Sequence, residues 1–193
     1  MTERIIQEIL DTINREGSNH YPYIIAIDGR CGAGKSTLGV ALAERLDANL
    51  IHMDDFFLRP EQRTEERLAT PGENIDHERF LSEVLLPLKQ GSSFSYSPFS
   101  CATQTLLPPV PVCVKSFAVI EGSYALHPSL RELYDFKVFL TIDRHLQEER
   151  IRRRNGDGLW PMFRDRWIPM EEAYFAALSV EKNADMVFES RDD

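Results

Sequence analysis

One stretch limits what this chain can fold into more than any other: Gly29-Arg30-Cys31-Gly32-Ala33-Gly34-Lys35-Ser36. It follows a short apolar, β-branched run from Tyr23 to Ile27 and precedes Leu38, Ala41, Leu42 and Leu46 at helical spacing. A glycine-rich turn between a strand and a helix lets successive backbone N–H groups curl inward around an anion, and the helix adds the positive end of its dipole. The turn matches the G-x-x-x-x-G-K-[ST] pattern, the Walker A phosphate loop. Gly29, Gly32, Ala33 and Gly34 supply the cradle, Lys35 reaches the β- and γ-phosphates, Ser36 offers a hydroxyl to Mg²⁺, and Thr37 is a further contact toward the α-phosphate. Cys31 inside the loop reads as a small filler, with a thiol of lowered pKa beside a helix N-terminus as the alternative.

Four more apolar runs read as strands: Leu50 to Met53, Ser116 to Ile120, Lys137 to Ile142 and Met186 to Phe188. Between them the helical period recurs, in Ile5 to Ile13 with Gly17 as a stop, Phe80 to Leu88, Leu146 to Arg154, and Met170 to Leu178. Asp76 is placed to cap the second of these, which Pro87 would bend or end, and Pro169 is placed to start the last. Residues 59–75 read as a mobile loop, and residues 92–114 as a hairpin or long excursion. Strands alternating with helices predict an α/β protein, a parallel sheet with helices on both faces, in one domain over residues 1–193.

Ligands of such sheets bind beyond the carboxyl ends of the strands, and Gly29, Asp54 and Glu121 all lie at those ends. Phosphoryl transfer to an alcohol needs a carboxylate that orients the hydroxyl and accepts its proton. Asp54, first off its strand, is the candidate, with Asp55 as fallback. Glu121, at the end of Phe117-Ala118-Val119-Ile120, requires a cation or donors to offset its burial, and Mg²⁺ would supply one. Arg150 and Arg153 share a helix face suited to phosphoryl oxygens, while Arg152 and Arg154 are expected to face solvent. Arg164 and Arg166, between Trp160 and Trp167, either pack there or hold a phosphate or carboxylate of the acceptor.

The residues resemble the phosphoribulokinase and uridine kinase family of P-loop kinases. Asp28 to Thr37, His52 to Phe57, Asn74-Ile75-Asp76-His77, and Ile120-Glu121-Gly122-Ser123-Tyr124 carry the resemblance, with Asp135 to Arg154 as a fifth stretch. It implies a P-loop NTPase with a five-stranded parallel core and an arginine-bearing lid over residues 150–168. ATP would be the donor, with Mg²⁺ held by Ser36 and Glu121 near Asp54. The catalytic set would be Asp54, Lys35, Arg150 and Arg153. Asp76 would bond acceptor hydroxyls, Tyr96 would line the acceptor pocket within the 92–114 excursion, and His77 and Tyr124 would lie on the acceptor side with Arg166. The acceptor tilts toward uridine or another nucleoside. Cys101, however, stands where uridine kinases carry a base-reading histidine, and Arg154-Asn155-Gly156 departs from their lid. The stretch from Tyr96 to Thr103 resembles that of the short bacterial uridine-kinase-like proteins.

A pantothenate-like alcohol or a sugar phosphate is the rival acceptor, and a regulatory P-loop NTPase without an acceptor is the rival class. A GTPase switch would carry Asn-Lys-x-Asp, which is absent from the sequence. The net charge of -9 excludes broad nucleic-acid binding. No apolar run approaches the length of a membrane span, and three cysteines without framework spacing suit a reducing compartment, so the expected setting is cytoplasmic, with homo-oligomerisation left open.

Overall fold

The structure, a computed structural model, describes residues 2–17 and 20–191. Five parallel strands form the central sheet: β1 (Tyr23–Gly29), β2 (Asn49–His52), β7 (Phe117–Glu121), β8 (Phe136–Ile142) and β9 (Met186–Ser190), in the order β2-β7-β1-β8-β9. The chain leaves β1 toward one edge, returns, and completes the other edge, so the strand order reverses beside β1. The crevice at such a reversal is where open α/β sheets bind ligands.

Both faces are covered, because β1 and β7 alternate apolar side chains to two separate cores. Ile24, Ala26, Ala118 and Ile120 pack with Phe56, Phe80, Tyr174 and Phe175. Ile25, Ile27 and Val119 pack with Ile5 and Ile9 of α1 (Thr2–Glu16) and Leu38 and Leu42 of α2 (Lys35–Leu46). The register sets Ile27, Glu121 and His52 abreast, which brings the ends of β1, β7 and β2 to one line. Gly29 closes β1 at φ 137°, and a Cβ there would stand 2.0 Å from the Leu140 carbonyl oxygen, so only glycine lets the loop leave the sheet at this point.

Two prolines behave differently from expectation. Helix α3, residues 77–89, runs through Pro87, and helix α5, residues 160–177, runs through Pro169. In each, the preceding residue bonds back five positions, Leu86 N–H to Leu81 O and Ile168 N–H to Phe163 O. The wider π turn displaces the carbonyl that a proline ring would strike, and the helix continues. Between them lies α4 (Arg144–Asn155), capped by Asp143. Residues 59–75 are not an open loop. They form a turn at Pro60–Gln62 and a helix at Glu65–Ala69, tied down by Arg67, which donates to the carbonyls of Glu73 and Ile75. Residues 92–114 form two small antiparallel ladders, β3 (Phe94–Tyr96) with β6 (Val110–Val112), and β4 (Phe99–Ser100) with β5 (Thr105–Leu106). Among the described residues, no helix is long and apolar enough to cross a membrane.

Candidate active site

A cavity of about 510 Å³ opens at the aligned strand ends. Gly32, Ala33, Gly34, Lys35, Ser36 and Thr37 form one wall, and Asp54, Glu121 and Ser123 face them. The loop is built so that Gly34, at φ 96°, precedes the first turn of α2. Lys35 Nζ donates to the carbonyls of Gly29 at 2.6 Å and Arg30 at 3.3 Å.

Glu121 is only 4% exposed. Its carboxylate accepts from Ser36 Oγ at 3.0 Å and meets His52 Nδ1 at 2.5 Å. The hydrogen bond to Glu121 is the main reason that the pKa of His52 is raised. An acid and a hydroxyl in contact on the wall of a phosphate-loop cavity are the hard oxygen donors that Mg²⁺ takes. Helix α2 comes close enough for this because residue 39 is glycine: a Cβ there would stand 2.8 Å from Glu121 Cγ.

Asp54 sits on the turn Met53–Phe56, and its side chain has no hydrogen-bond or ion-pair partner among the described residues. Although open to the cavity, its carboxyl is walled by protein, and desolvation pushes its pKa up, opposed by Lys35 and assisted by Glu121 and Glu171. Asp55 differs, since its Oδ2 accepts from Tyr96 Oη at 3.1 Å. A free carboxylate facing the lysine is the better proton acceptor of the two.

Arg150, Arg153 and Arg154 line the same cavity. Arg150 is held by the Gly32 carbonyl, Ser190 Oγ and the Arg191 carbonyl, whereas Arg153 has no partner among the described residues. Arg154, expected to face solvent, is exposed and also reaches the loop, with Nη2 3.7 Å from Cys31 Sγ. Arg152 does point away, to Glu148, Asp157 and the Trp160 ring. Cys31 packs against Ile151, Trp160 and Phe163, and burial, then Glu171, raises its thiol pKa. The filler reading is therefore favoured over the low-pKa one, because burial and Glu171 outweigh Lys35 and Arg154, which lower the pKa.

Three residues expected on the acceptor side have protein partners of their own. Asp76, 2% exposed, caps α3 through the Arg79 N–H and accepts from Gln62 Nε2 at 2.8 Å. Tyr96 is buried and stacked on Phe56. His77 bonds Glu73 and stacks on His127, away from the nucleotide cavity. Tyr124 and Arg166 do come together, on a second cavity.

Two acids to which the sequence assigns no role hold the loop. Asp28, fully buried, accepts from the N–H groups of Gly29 and Leu126 and from Tyr174 Oη, at 2.7 to 2.9 Å. Glu171, on α5, accepts from Cys31 N–H at 3.0 Å and from Ser123 Oγ at 2.5 Å, while its neighbour Glu172 grips Arg30 at 2.7 and 3.1 Å. Nothing in Met170-Glu171-Glu172 marks which acid turns inward; only the helix phase against the loop does.

The fold and the loop make this an α/β protein of the P-loop NTPase class. No family model matches the chain. Among solved structures it is similar to one described as a possible uridine kinase from Bacillus stearothermophilus, at 20% identity and TM-score 0.71, covering 97% of this chain and 100% of that one. A protein from Silicibacter sp. TM1040, assigned provisionally as a fructose transport system kinase, matches at 24% identity and TM-score 0.70, over 97% and 98%. D-glycerate 3-kinase from Cryptococcus neoformans matches at 17% identity and TM-score 0.58, over 90% and 88%. The chain shares its fold with these three structures.

Proposed function

We propose that the protein is an ATP-dependent kinase that transfers the γ-phosphoryl group to a hydroxyl of a small metabolite. The observation that carries this reading is the convergence of Lys35, Ser36, Glu121 and an unpartnered Asp54 on one cavity. An unpaired carboxylate beside Lys35 is suited to orient an attacking hydroxyl and take its proton.

In the reaction the acceptor oxygen forms a bond to the γ-phosphorus while its proton passes to Asp54. The bond from that phosphorus to the β–γ bridging oxygen breaks, and the electron pair leaves with ADP. Lys35 and Arg153 face the oxygens over which charge spreads, and Arg150 braces the loop from Gly32. Ser36 and Glu121, with Asp54 nearby, would hold Mg²⁺, which when bound neutralises phosphate charge.

A nucleoside such as uridine is the acceptor toward which the family resemblance tilts, as does the description of the Bacillus stearothermophilus structure. A pantothenate-like alcohol and a sugar phosphate are the other acceptors. Three free cysteines and the acidic net charge support a cytoplasmic setting without a nucleic-acid partner. The test is ADP release across a panel of hydroxyl compounds, with mass spectrometry of the product. A phosphorylated metabolite supports the kinase; free phosphate with every compound would move the reading to a regulatory NTPase.

A further inference from the structure

The second cavity, of about 280 Å³, lies between the segment 68–74 and helix α5, with Tyr124 lining it from the end of β7. It is just below the range of roughly 300–1,000 Å³ that holds drug-sized ligands, so it suits a compact molecule. Its polar groups are unevenly committed. Asp165 is held in a fork by Arg164, at 2.7 and 2.8 Å. Arg166 has no hydrogen-bond or ion-pair partner among the described residues, although this chain has 31 acids against 22 Lys and Arg. Arg166 is exposed and, like Arg153, has no acid paired with it among the described residues and lines a cavity.

Tyr124 supplies the second, independent observation. It is 3% exposed and adopts φ 72°, a left-handed conformation that a bulky residue holds only where its surroundings impose it. Its side chain lies near that of Asn74, and both residues line the cavity. Strain of this kind concentrates at ligand sites.

The cavity is also close to the proposed chemistry. Asp54 Oδ1 lies 3.5 Å from where a Gly122 Cβ would stand, and the Tyr124 Cα, two residues further along the chain, is at most about 7 Å from that of Gly122. We propose that this cavity holds the acidic group of the acceptor, a small hydroxyl compound bearing a carboxylate or phosphate, with Arg166 as its counter-charge. The inference rests on the kinase reading and narrows its acceptor away from neutral nucleosides. The planar fork of the guanidinium suits either anion, and Asn74 and Tyr124 bound the ligand from the opposite side.

The test uses full-length protein saturated with Mg²⁺ and a non-hydrolysable ATP analogue, so that the phosphate loop cannot take the probe. Matched pairs are titrated by calorimetry: glycerol 3-phosphate against glycerol, and lactate against 1,2-propanediol. The expected result is that one anion of a pair binds at millimolar concentration and its neutral partner does not. Arg166→Met should weaken that binding by about ten- to a hundred-fold, the range for losing a charged hydrogen bond, while Arg45→Met on α2 leaves it unchanged. Comparable affinity in Arg166→Met, preference for the neutral partners, or no binding of either anion would overturn the proposal. Which anion wins separates phosphate from carboxylate. Arg166-dependent binding with no phosphorylated product in the acceptor screen would count against the kinase reading and leave the anion site standing.

Discussion

The Glu171 carboxylate accepts a hydrogen bond from the backbone N–H of Cys31 at 3.0 Å, inside the phosphate loop. A side-chain oxygen thus takes a donor of the kind that the loop presents to phosphates, and it carries a negative charge into a site that must receive a more negative ligand. Glu171→Gln keeps the shape and can still accept this bond, but removes the charge. The expected outcome is an ATP dissociation constant lower by about tenfold, the order of effect for deleting one nearby like charge at an effective dielectric near 20. Titration with a fluorescent ATP analogue measures it, and weaker binding would show that Glu171 only braces the loop.

Asp54 should be dispensable for binding and required for turnover. Asp54→Asn is expected to leave the ATP dissociation constant within about twofold and to lower kcat by about 10²–10⁴. Because desolvation raises the Asp54 pKa and the base must be ionised, activity should be lost as pH falls through a value higher than that of an ordinary aspartate. Glu171 contributes to that rise, so Glu171→Gln should move the acid limb of the pH–kcat profile downward. An unmoved limb would place the titration elsewhere.

Asp28 makes stability depend on pH. Burial raises its pKa from 3.8 to about 6, with the Leu126 N–H the largest opposing effect. A carboxyl whose folded pKa is raised is favoured protonated, so its contribution is present below about pH 4 and is lost as pH rises toward 6. The loss is of the order of 3 kcal/mol. Asp28→Asn should flatten the change in Tm between those two pH values, although it replaces one accepting oxygen with a donor and lowers Tm overall. A parallel decline in both proteins would exclude Asp28 as the source.

Gly39 is a glycine within a helix for a reason that stability alone would not supply. Alanine there is favoured in a helix interior by about 0.5–1 kcal/mol, yet its Cβ would stand 2.8 Å from Glu121 Cγ and press the acid away from Ser36. Gly39→Ala is expected to change Tm little and to raise the Mg²⁺ concentration for half-maximal activity several-fold. Glu121→Gln should raise it too, with Gly39 intact. An unchanged Mg²⁺ titration in both variants would remove Glu121 from the metal site.

The phosphate loop, the five strands and the roles proposed for Asp54 and Glu121 were legible because each depends on neighbours in sequence. A glycine turn between strand and helix, and an acid immediately after an apolar run, are local patterns with local causes. The prolines show the limit of such reading: Pro87 and Pro169 carry the usual signal of a helix boundary, but a π turn one residue earlier lets the helix pass. Arg154 shows another: helical phase leaves it exposed, as it is, but does not reveal that its guanidinium also reaches the Cys31 thiol of the loop.

What the chain determined by itself is the class: where it can bind a triphosphate and which strand ends carry acids. Tertiary structure alone decided which groups are free to act. Tyr96 ties up Asp55 and leaves Asp54 open, Gln62 and Arg79 occupy Asp76, and Asp165 spends its charge on Arg164 and leaves Arg166 without an acid. Availability depends on partners up to 146 residues away, as Tyr174 on Asp28 illustrates. A carboxylate or guanidinium has the same identity in every sequence context, but its reactivity is set by what else reaches it in space.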